Sequence, residues 1–191
     1  SALYALGIDN CLIKVNGPEF PILAGSAKLY VDNIQRVGIV EQEAEKNYFV
    51  VTETIEYHDE KSGSSLMIMP AEEFAVNVLV SFDSSIICNQ RAVLMHMEDF
   101  PKEIASSRTF VFVRDIEPLL AAGLIKGGDL DNSIVLYERE MPQDRYDRLA
   151  DAMKIPRMDA KKLGYINHRP LVWENEPARH KLLDIIGDMS L

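Results

Sequence analysis

The sequence has 191 residues, of which 47% are hydrophobic and 26% charged, and this composition is close to that of an average globular protein. The length suits one large domain or two small ones. A net charge of −10 argues against a general nucleic-acid or anionic-membrane binder, although it leaves a local basic patch open. Cys11 and Cys88 form no Cys-x-x-Cys pair, which favours buried thiols in a reducing cytosol over a disulfide framework. No apolar run approaches the ~18 residues of a membrane span.

The first part of the chain predicts a helix, a strand and a second helix. Residues 1–7 have the pattern of a helix that ends at a glycine but has no N-cap at its start. Residues 11–15 alternate as in a strand, and residues 27–37 have helical spacing. Because the first helix is uncapped and the chain stops at Leu191, directly after another helix, we expect the sequence to be part of a longer protein.

The acidic stretch 41–46 is either a solvated loop or a boundary between two domains, since it has little apolar content. We take it as the boundary between the C-terminal part of a first domain, residues 1–45, and most of a second domain, residues 46–191. Alternation in the second part predicts strands at 48–57, 65–70, 74–82 and 91–97. The turn at 59–63 joins the first two strands as a hairpin, and residues 99–107 predict a helix.

A strand–helix–strand unit of about thirty residues comes next, which is long enough for its two strands to be parallel. The strands are predicted at 108–113 and 133–137, and the helix at 115–122. The charged, Met-rich stretch 138–169 predicts an elaborated connection that contains one amphipathic helix at 144–153.

The last helix starts near Glu176, where the following proline is tolerated, after an extended segment at 170–173. It places His180, Asp184 and Asp188 four residues apart on one face. An imidazole and a carboxylate one turn apart can both reach a zinc ion. The pattern is short and common, however, and taken alone it is explained more simply by an amphipathic helix with a solvated polar face.

Other residues add little to the zinc hypothesis. The remaining histidines, His58, His96 and His168, fall in a turn, a strand and a polar loop, and none is spaced to supply a third ligand. Either the zinc hypothesis is wrong or the third ligand lies outside the chain. Nucleotide-binding glycine motifs and a Gly-x-Ser-x-Gly elbow are lacking from the sequence. Thr109, taken alone, is an ordinary strand threonine.

Six segments, taken together and in this order, carry a family resemblance. They are Leu-Tyr-Ala-Leu-Gly-Ile-Asp-Asn at 3–10, Pro-Ile-Leu-Ala-Gly-Ser-Ala at 21–27, Ser-Arg-Thr-Phe-Val-Phe at 107–112, Asp-Ile-Glu at 115–117, Gly-Leu-Ile-Lys-Gly-Gly at 123–128 and Arg-His-Lys-x-x-Asp-x-x-Gly-Asp at 179–188. The series resembles the zinc-dependent UDP-3-O-acyl-N-acetylglucosamine deacetylases of lipid A biosynthesis. It spans nearly the whole chain and is far more specific than one His–Asp pair.

The resemblance implies a role for several polar residues. His180 and Asp184 match two zinc ligands of the family. Thr109 matches a threonine that hydrogen-bonds the metal-bound water or the oxyanion, and Lys181 matches a lysine that binds substrate. Asp188 matches the aspartate that orients the catalytic histidine of the family.

The resemblance also implies the fold and the path of the acyl chain. Phe110, Phe112, Ile116 and Ile125 match positions near the acyl-chain passage. The expected fold class is α+β, with two domains that are each a two-layer sandwich and an active site between them. A β-α-β insert near residues 108–137 of the second domain would form the passage.

The sequence departs from the family in several places. The first zinc-binding histidine and the glutamate base would precede Ser1, and the catalytic histidine would follow Leu191, so we expect the chain alone to be inactive. Ala24 replaces an aspartate that many members have. The stretch 138–169 is longer than the plain family core, as in some members fused to a 3-hydroxyacyl-carrier-protein dehydratase.

The expected activity is zinc-dependent hydrolysis of the acetamide of UDP-3-O-(3-hydroxyacyl)-N-acetylglucosamine, with release of acetate, in the cytoplasm. The expected partner is the UDP-linked acylated glucosamine, with no nucleic acid, no transmembrane segment and at most transient contact with a membrane surface. The competing hypothesis is a non-catalytic α+β binding or interaction module.

Overall fold

The computed structural model describes residues 1–125 and 127–191. The helices in these ranges are α1 (Ala2–Ala5), α2 (Lys28–Val37), α3 (Phe100–Glu103), α4 (Val113–Ala121), α5 (Gln143–Met153) and α6 (Glu176–Asp188), with a 3₁₀ turn at Met97–Asp99. The strands are β1 (Ile55–His58), β2 (Ser65–Ile68), β3 (Val76–Val80), β4 (Gln90–Leu94), β5 (Thr109–Phe112), β6 (Ser133–Tyr137) and β7 (Gly164–Ile166). They pair as β1–β2, β3–β4 and β5–β6–β7. The predicted α+β class is confirmed.

Helix α6 packs against the β3–β4 sheet and forms the main core with it. Alternate residues of β3 point inward and meet one face of α6. The buried residues of these two elements include Val76, Val78, Val80, Ala178, Leu182 and Ile186. Leu182 and Ile186 are fully buried, and each such side chain stabilises a fold by about 1.5–3 kcal/mol. The apolar face therefore fixes the rotation of α6 about its axis.

The β5–β6–β7 sheet contains the predicted strand–helix–strand unit. β5 and β6 are parallel, with Thr109 opposite Ser133 and Phe112 opposite Leu136, and α4 connects them. β7 pairs antiparallel with the other edge of β6. The parallel pairing was predicted, but α4 begins at Val113, two residues before the predicted start at Asp115.

The two faces of this sheet are covered differently. Helices α4 and α5 cover one face, where the buried residues include Val135, Tyr137, Ile116, Tyr146 and Leu149. The loop between β3 and β4 covers the other face, where the apolar residues are Phe82, Ile86, Ile87, Phe110, Phe112, Leu136 and Tyr165. The second face extends toward the start of β5, which lies close to α6.

Several sequence predictions are wrong in detail. Residues 11–15 are exposed and form no strand, since within the described residues no neighbouring strand satisfies their backbone. Residues 170–173 are irregular, and the third strand of the sheet is β7, in a stretch predicted as connection. The helix predicted at 99–107 shortens to α3, because residues 107 and 108 make hydrogen bonds to α6.

Two further predictions differ from the structure. The strand predicted at 48–57 begins only at Ile55, and residues 48–50 before it are exposed. Cys11 and Cys88 are exposed free cysteines, so the prediction of buried thiols is wrong.

The division at residue 45 stays a prediction. Ala5, Ala27 and Val31, from the first part of the chain, belong to the same core cluster as α6 and β3. None of the helices in the described residues is long and apolar enough to cross a membrane.

Candidate metal centre

The polar face of α6 carries the candidate metal ligands. The helix begins with Glu176 and Pro177. The carboxylate of Glu176 complements the positive end of the helix dipole. Pro177 is tolerated there because N–H groups in the first turn have no partner within the helix. His180 and Asp184 lie one turn apart, with Nε2 of His180 3.5 Å from Oδ1 of Asp184. The histidine is 8% exposed, whereas 38% of the aspartate side chain is exposed. The pair therefore lies at the edge of the core, facing solvent.

The tautomer of His180 follows from its backbone contact. Its Nδ1 lies 2.9 Å from the carbonyl oxygen of Ser107. A carbonyl can only accept, so Nδ1 carries the proton and Nε2 of the neutral ring keeps a lone pair. Metal-binding histidines usually hold their second nitrogen in this way. The imidazole of His180 and the carboxylate of Asp184 are also the donor types that zinc takes. These two residues therefore fit two positions of a zinc site.

The described residues contain no group of three or more His, Cys, Asp and Glu side chains that could hold a metal ion. The other histidines make contacts elsewhere: His58 bonds to Ser65, His96 to Glu73, and His168 lies near Asp131. The third ligand stays a prediction for a group outside the chain.

Lys181 joins the candidate site to β5. Its Nζ lies 2.9 Å from Oδ2 of Asp184 and 5.4 Å from the centre of the Phe110 ring, within the range of a cation–π contact. One carboxylate oxygen of Asp184 thus faces His180 and the other faces Lys181. The ion pair is largely exposed, and such pairs contribute at most about 1 kcal/mol. Lys181 is free to exchange this contact for an anionic ligand at little cost.

Thr109 begins β5, two residues after the carbonyl that holds His180. It is half-buried. Its backbone N–H donates to the carbonyl oxygen of Gly25 over 2.8 Å. Because the carbonyl of Ser107, two residues earlier, bonds to His180, Thr109 lies in the same region as the start of α6, although the two are more than sixty residues apart in sequence.

Asp188 lies at the exposed end of α6, one turn beyond Asp184. An open groove is lined by both aspartates and by Lys181, together with Leu79 and Val80 of β3. Three of the predicted site residues therefore line one groove. The roles assigned to them stay predictions.

The four residues predicted near the acyl chain lie in two separate clusters. Phe110 and Phe112 form edge-to-face pairs with Phe82, with ring centres 5.7 and 5.2 Å apart. Ile116 and Ile125 lie instead in the cluster beneath α4 and α5. The neighbouring Lys126 of the glycine-rich segment lies outside the described residues. The aromatic group is the part that adjoins Lys181 and the candidate site.

Sequence reasoning missed a buried ion pair beside this site. Arg108 and Glu176 bond through Nε and Oε1 over 2.9 Å, with 6% and 0% of their side chains exposed. The two residues are 68 positions apart. Arg108 directly precedes the apolar strand β5, but Glu176 stands in a polar stretch, so no local pattern in the sequence marks the pair.

Comparison with known proteins adds a family match. The family model for UDP-3-O-acyl N-acetylglycosamine deacetylase (LpxC) matches residues 1–153 and 158–191. The Bifunctional enzyme LpxC/FabZ of Bacteroides thetaiotaomicron is 65% identical over 191 residues, which are 100% of this chain and 41% of that protein. The Bifunctional enzyme LpxC/FabZ of Porphyromonas gingivalis is 53% identical, with the same shares covered.

A relative with a different name matches as well. The UDP-3-O-acyl-N-acetylglucosamine deacetylase of Anaeromyxobacter sp. (strain Fw109-5) is 39% identical over 193 residues, with 100% of this chain and 55% of that protein covered. The chain thus spans about half the length, or less, of the curated relatives that it matches.

Proposed function

We propose a function on one established premise: the chain belongs to the UDP-3-O-acyl N-acetylglycosamine deacetylase (LpxC) family. The proposed activity of the whole protein is zinc-dependent hydrolysis of the acetamide of UDP-3-O-(3-hydroxyacyl)-N-acetylglucosamine, with release of acetate, in lipid A biosynthesis. The observation that carries the proposal is the pairing of His180 with Asp184, together with the hydrogen bond that Nδ1–H of His180 donates to the carbonyl oxygen of Ser107.

His180 and Asp184 would hold the zinc ion. When bound, zinc polarises the acetamide carbonyl and provides a water-derived nucleophile at neutral pH. Catalytic zinc sites usually have three protein ligands, so this reaction needs a third ligand from outside the 191 residues. A general base and a catalytic histidine would also come from there.

The groups of this chain have distinct parts in the reaction. The Thr109 hydroxyl donates a hydrogen bond to the oxyanion that develops on the acetamide carbonyl. Lys181 leaves Asp184 to bind the anionic substrate. Asp188 orients the catalytic histidine and favours its cationic form. Phe110, beside Lys181, and its neighbour Phe112 contact the acyl chain, and Ile116 and Ile125 support that passage from beneath the sheet.

For the whole protein we also propose an architecture and a location. Two α+β domains, each a two-layer sandwich, would enclose the site, and residues 46–191 would form most of the second. We place the reaction in the cytoplasm, with the UDP-linked substrate as partner. Because two relatives that the chain covers to the same extent are named bifunctional LpxC/FabZ enzymes, we also propose that a dehydratase is fused to this deacetylase.

The test uses the full-length, zinc-loaded protein and two histidine variants. His180→Ala should abolish tight zinc binding and deacetylation, because it removes one of the ligands. His58→Ala is the matched control, since that side chain is exposed and bonds only to Ser65 among the described residues. Zinc stoichiometry and acetate release are measured for all three proteins. If both variants keep zinc and activity, the site is misplaced. If the wild type has neither, the chain is better explained as a binding module.

A further inference from the structure

Arg108 and Glu176 form the most buried charged contact near the candidate site. Oε1 of Glu176 accepts hydrogen bonds from the backbone N–H and from Nε of Arg108, both over 2.9 Å. Oε2 accepts one from Nη2 of Arg108 over 3.1 Å and one from the backbone N–H of Val172 over 2.7 Å. Nη2 of Arg108 also donates a hydrogen bond to the carbonyl oxygen of Pro170 over 2.8 Å. Every lone-pair direction of the carboxylate is thus occupied by a donor.

This pair lies at the junction of the two elements that carry the site. Arg108 is flanked by Ser107, whose carbonyl holds His180, and by Thr109. Glu176 precedes His180 by one helical turn. In the described part of the chain, the hydrogen bonds between α6 and residues 107–112 are those of Arg108 with Glu176 and of His180 with Ser107.

Other contacts hold α6 to different elements. Asn175 donates to the carbonyl oxygen of Arg91 in β4, and Arg179 donates to that of Glu103 in α3. The apolar residues of α6 face β3 and β4. These contacts join the helix to β3, β4 and α3, and none of them involves β5.

We propose that Arg108 and Glu176 are positioning residues, which set His180 and Thr109 in the relative arrangement that the zinc site requires. The inference rests on the proposed function, since it assigns the pair to the same site. A buried ion pair adds little net stability over apolar residues of similar size, because the desolvation cost offsets the attraction. Its directional hydrogen bonds do specify one arrangement of the backbone at Arg108 relative to the first turn of α6. The pair therefore acts on the geometry of His180 rather than on the substrate.

Glu176→Gln is the primary test, because it keeps the size of the side chain and turns one acceptor into a donor that faces other donors. Loss of the groups that orient a metal ligand typically weakens metal binding by about 10–100-fold, and we expect about a tenfold increase in the zinc Kd, measured by chelator competition on the full-length protein. Glu138→Gln is the matched control: this carboxylate is 2% exposed and bonds to Arg114 over 2.7 Å, at the far end of β6. Its zinc Kd should stay at the wild-type value.

A second readout needs no metal. In the zinc-free protein, nitrogen-15 NMR of the imidazole should show His180 with its proton on Nδ1, and Glu176→Gln should shift the ring toward a mixture of tautomers. His180→Ala identifies the signal. If the wild type binds no zinc and yet this shift occurs, the proposed function fails while the positioning role stands.

Two further variants keep the test valid if Glu176→Gln does not fold. Arg108→Lys retains the charge but loses the fork of donors, and the double variant Arg108→Met, Glu176→Met replaces the pair by apolar side chains, which often preserves stability. We expect both to bind zinc more weakly than the wild type at a temperature where each is folded. Wild-type zinc Kd and an unchanged His180 tautomer in the folded variants would overturn the proposal.

Discussion

Gly25→Ala should destabilise the protein through a clash with the backbone just before β6. Gly25 has a φ of +66°, and a Cβ built on it would lie 1.7 Å from the carbonyl oxygen of Asn132, the residue before β6. Because real Cβ contacts essentially never fall below 3.0 Å, the loop or the Asn132 backbone must move. The movement also strains the bond that the Thr109 N–H donates to the Gly25 carbonyl.

The magnitude follows from three contributions. The left-handed conformation costs an L-residue about 1–2 kcal/mol, and weakening the Thr109 hydrogen bond costs about 0.5–1.5 kcal/mol. These two costs come to about 1.5–3.5 kcal/mol. Displacement of the Asn132 backbone adds to them, so we expect the loss in the free energy of unfolding to lie near or above the upper end of that range, which is a large effect for a single substitution.

The matched control is Gly123→Ala. Gly123 has the same φ of +66°, but no atom of the described residues lies within 4 Å of the place that a Cβ would take. That variant should lose only the conformational part, about 1–2 kcal/mol. Urea denaturation of the two variants and the wild type measures both losses. Equal losses would refute the assignment of Gly25 to a close backbone approach and leave only the conformational strain.

Three more predictions concern the groove and the surface. Asp188→Asn in the full-length enzyme should lower kcat with zinc content unchanged. The basic limb of the pH–rate profile should move to lower pH, because the catalytic histidinium loses its carboxylate partner. Unchanged kcat and an unmoved basic limb would show that Asp188 is only a solvated helix residue. The 191-residue chain alone should show negligible deacetylation, because its described residues supply two metal ligands where three are usual; a normal rate would show that the site is misplaced. The hydrogen bond to Glu73 raises the pKa of His96, so this pair adds stability below about pH 6.5, the unfolded value, which is lost as the pH rises through the raised pKa. Glu73→Gln should therefore destabilise the protein in mildly acidic urea denaturation but not in alkaline conditions, and an equal change in both would contradict the pairing.

The helices and strands that sequence predicted well are those with long local patterns. The last helix has apolar residues at helical spacing along its length, and residues 133–137 form a short continuous apolar run that is buried throughout. The spacing locates the helix, and the length of the run together with its β-branched residues indicates the strand. β7 has only three residues and no alternation to distinguish it from the charged connection around it. The segment 11–15 has the alternation of a strand but no neighbouring strand among residues 1–125 and 127–191. A strand forms only where a partner supplies hydrogen bonds.

The candidate site likewise has a part that the sequence predicts and a part that it does not. The spacing of His180 and Asp184 is local and follows from the sequence, whereas the carbonyl of Ser107 that fixes the imidazole comes from a residue 73 positions away. The ion pair of Arg108 and Glu176 is equally remote in sequence, and a buried charged pair is not encoded by any local pattern. Contacts of this kind depend on how the helix docks beside β5, which packing decides.

The most direct test of the zinc assignment is the position of zinc in a crystal of the full-length protein, located by anomalous scattering at the zinc edge. We predict one strong peak about 2.0–2.2 Å from Nε2 of His180 and from a carboxylate oxygen of Asp184. A peak at other residues, or none near this pair in protein that contains stoichiometric zinc, would contradict it.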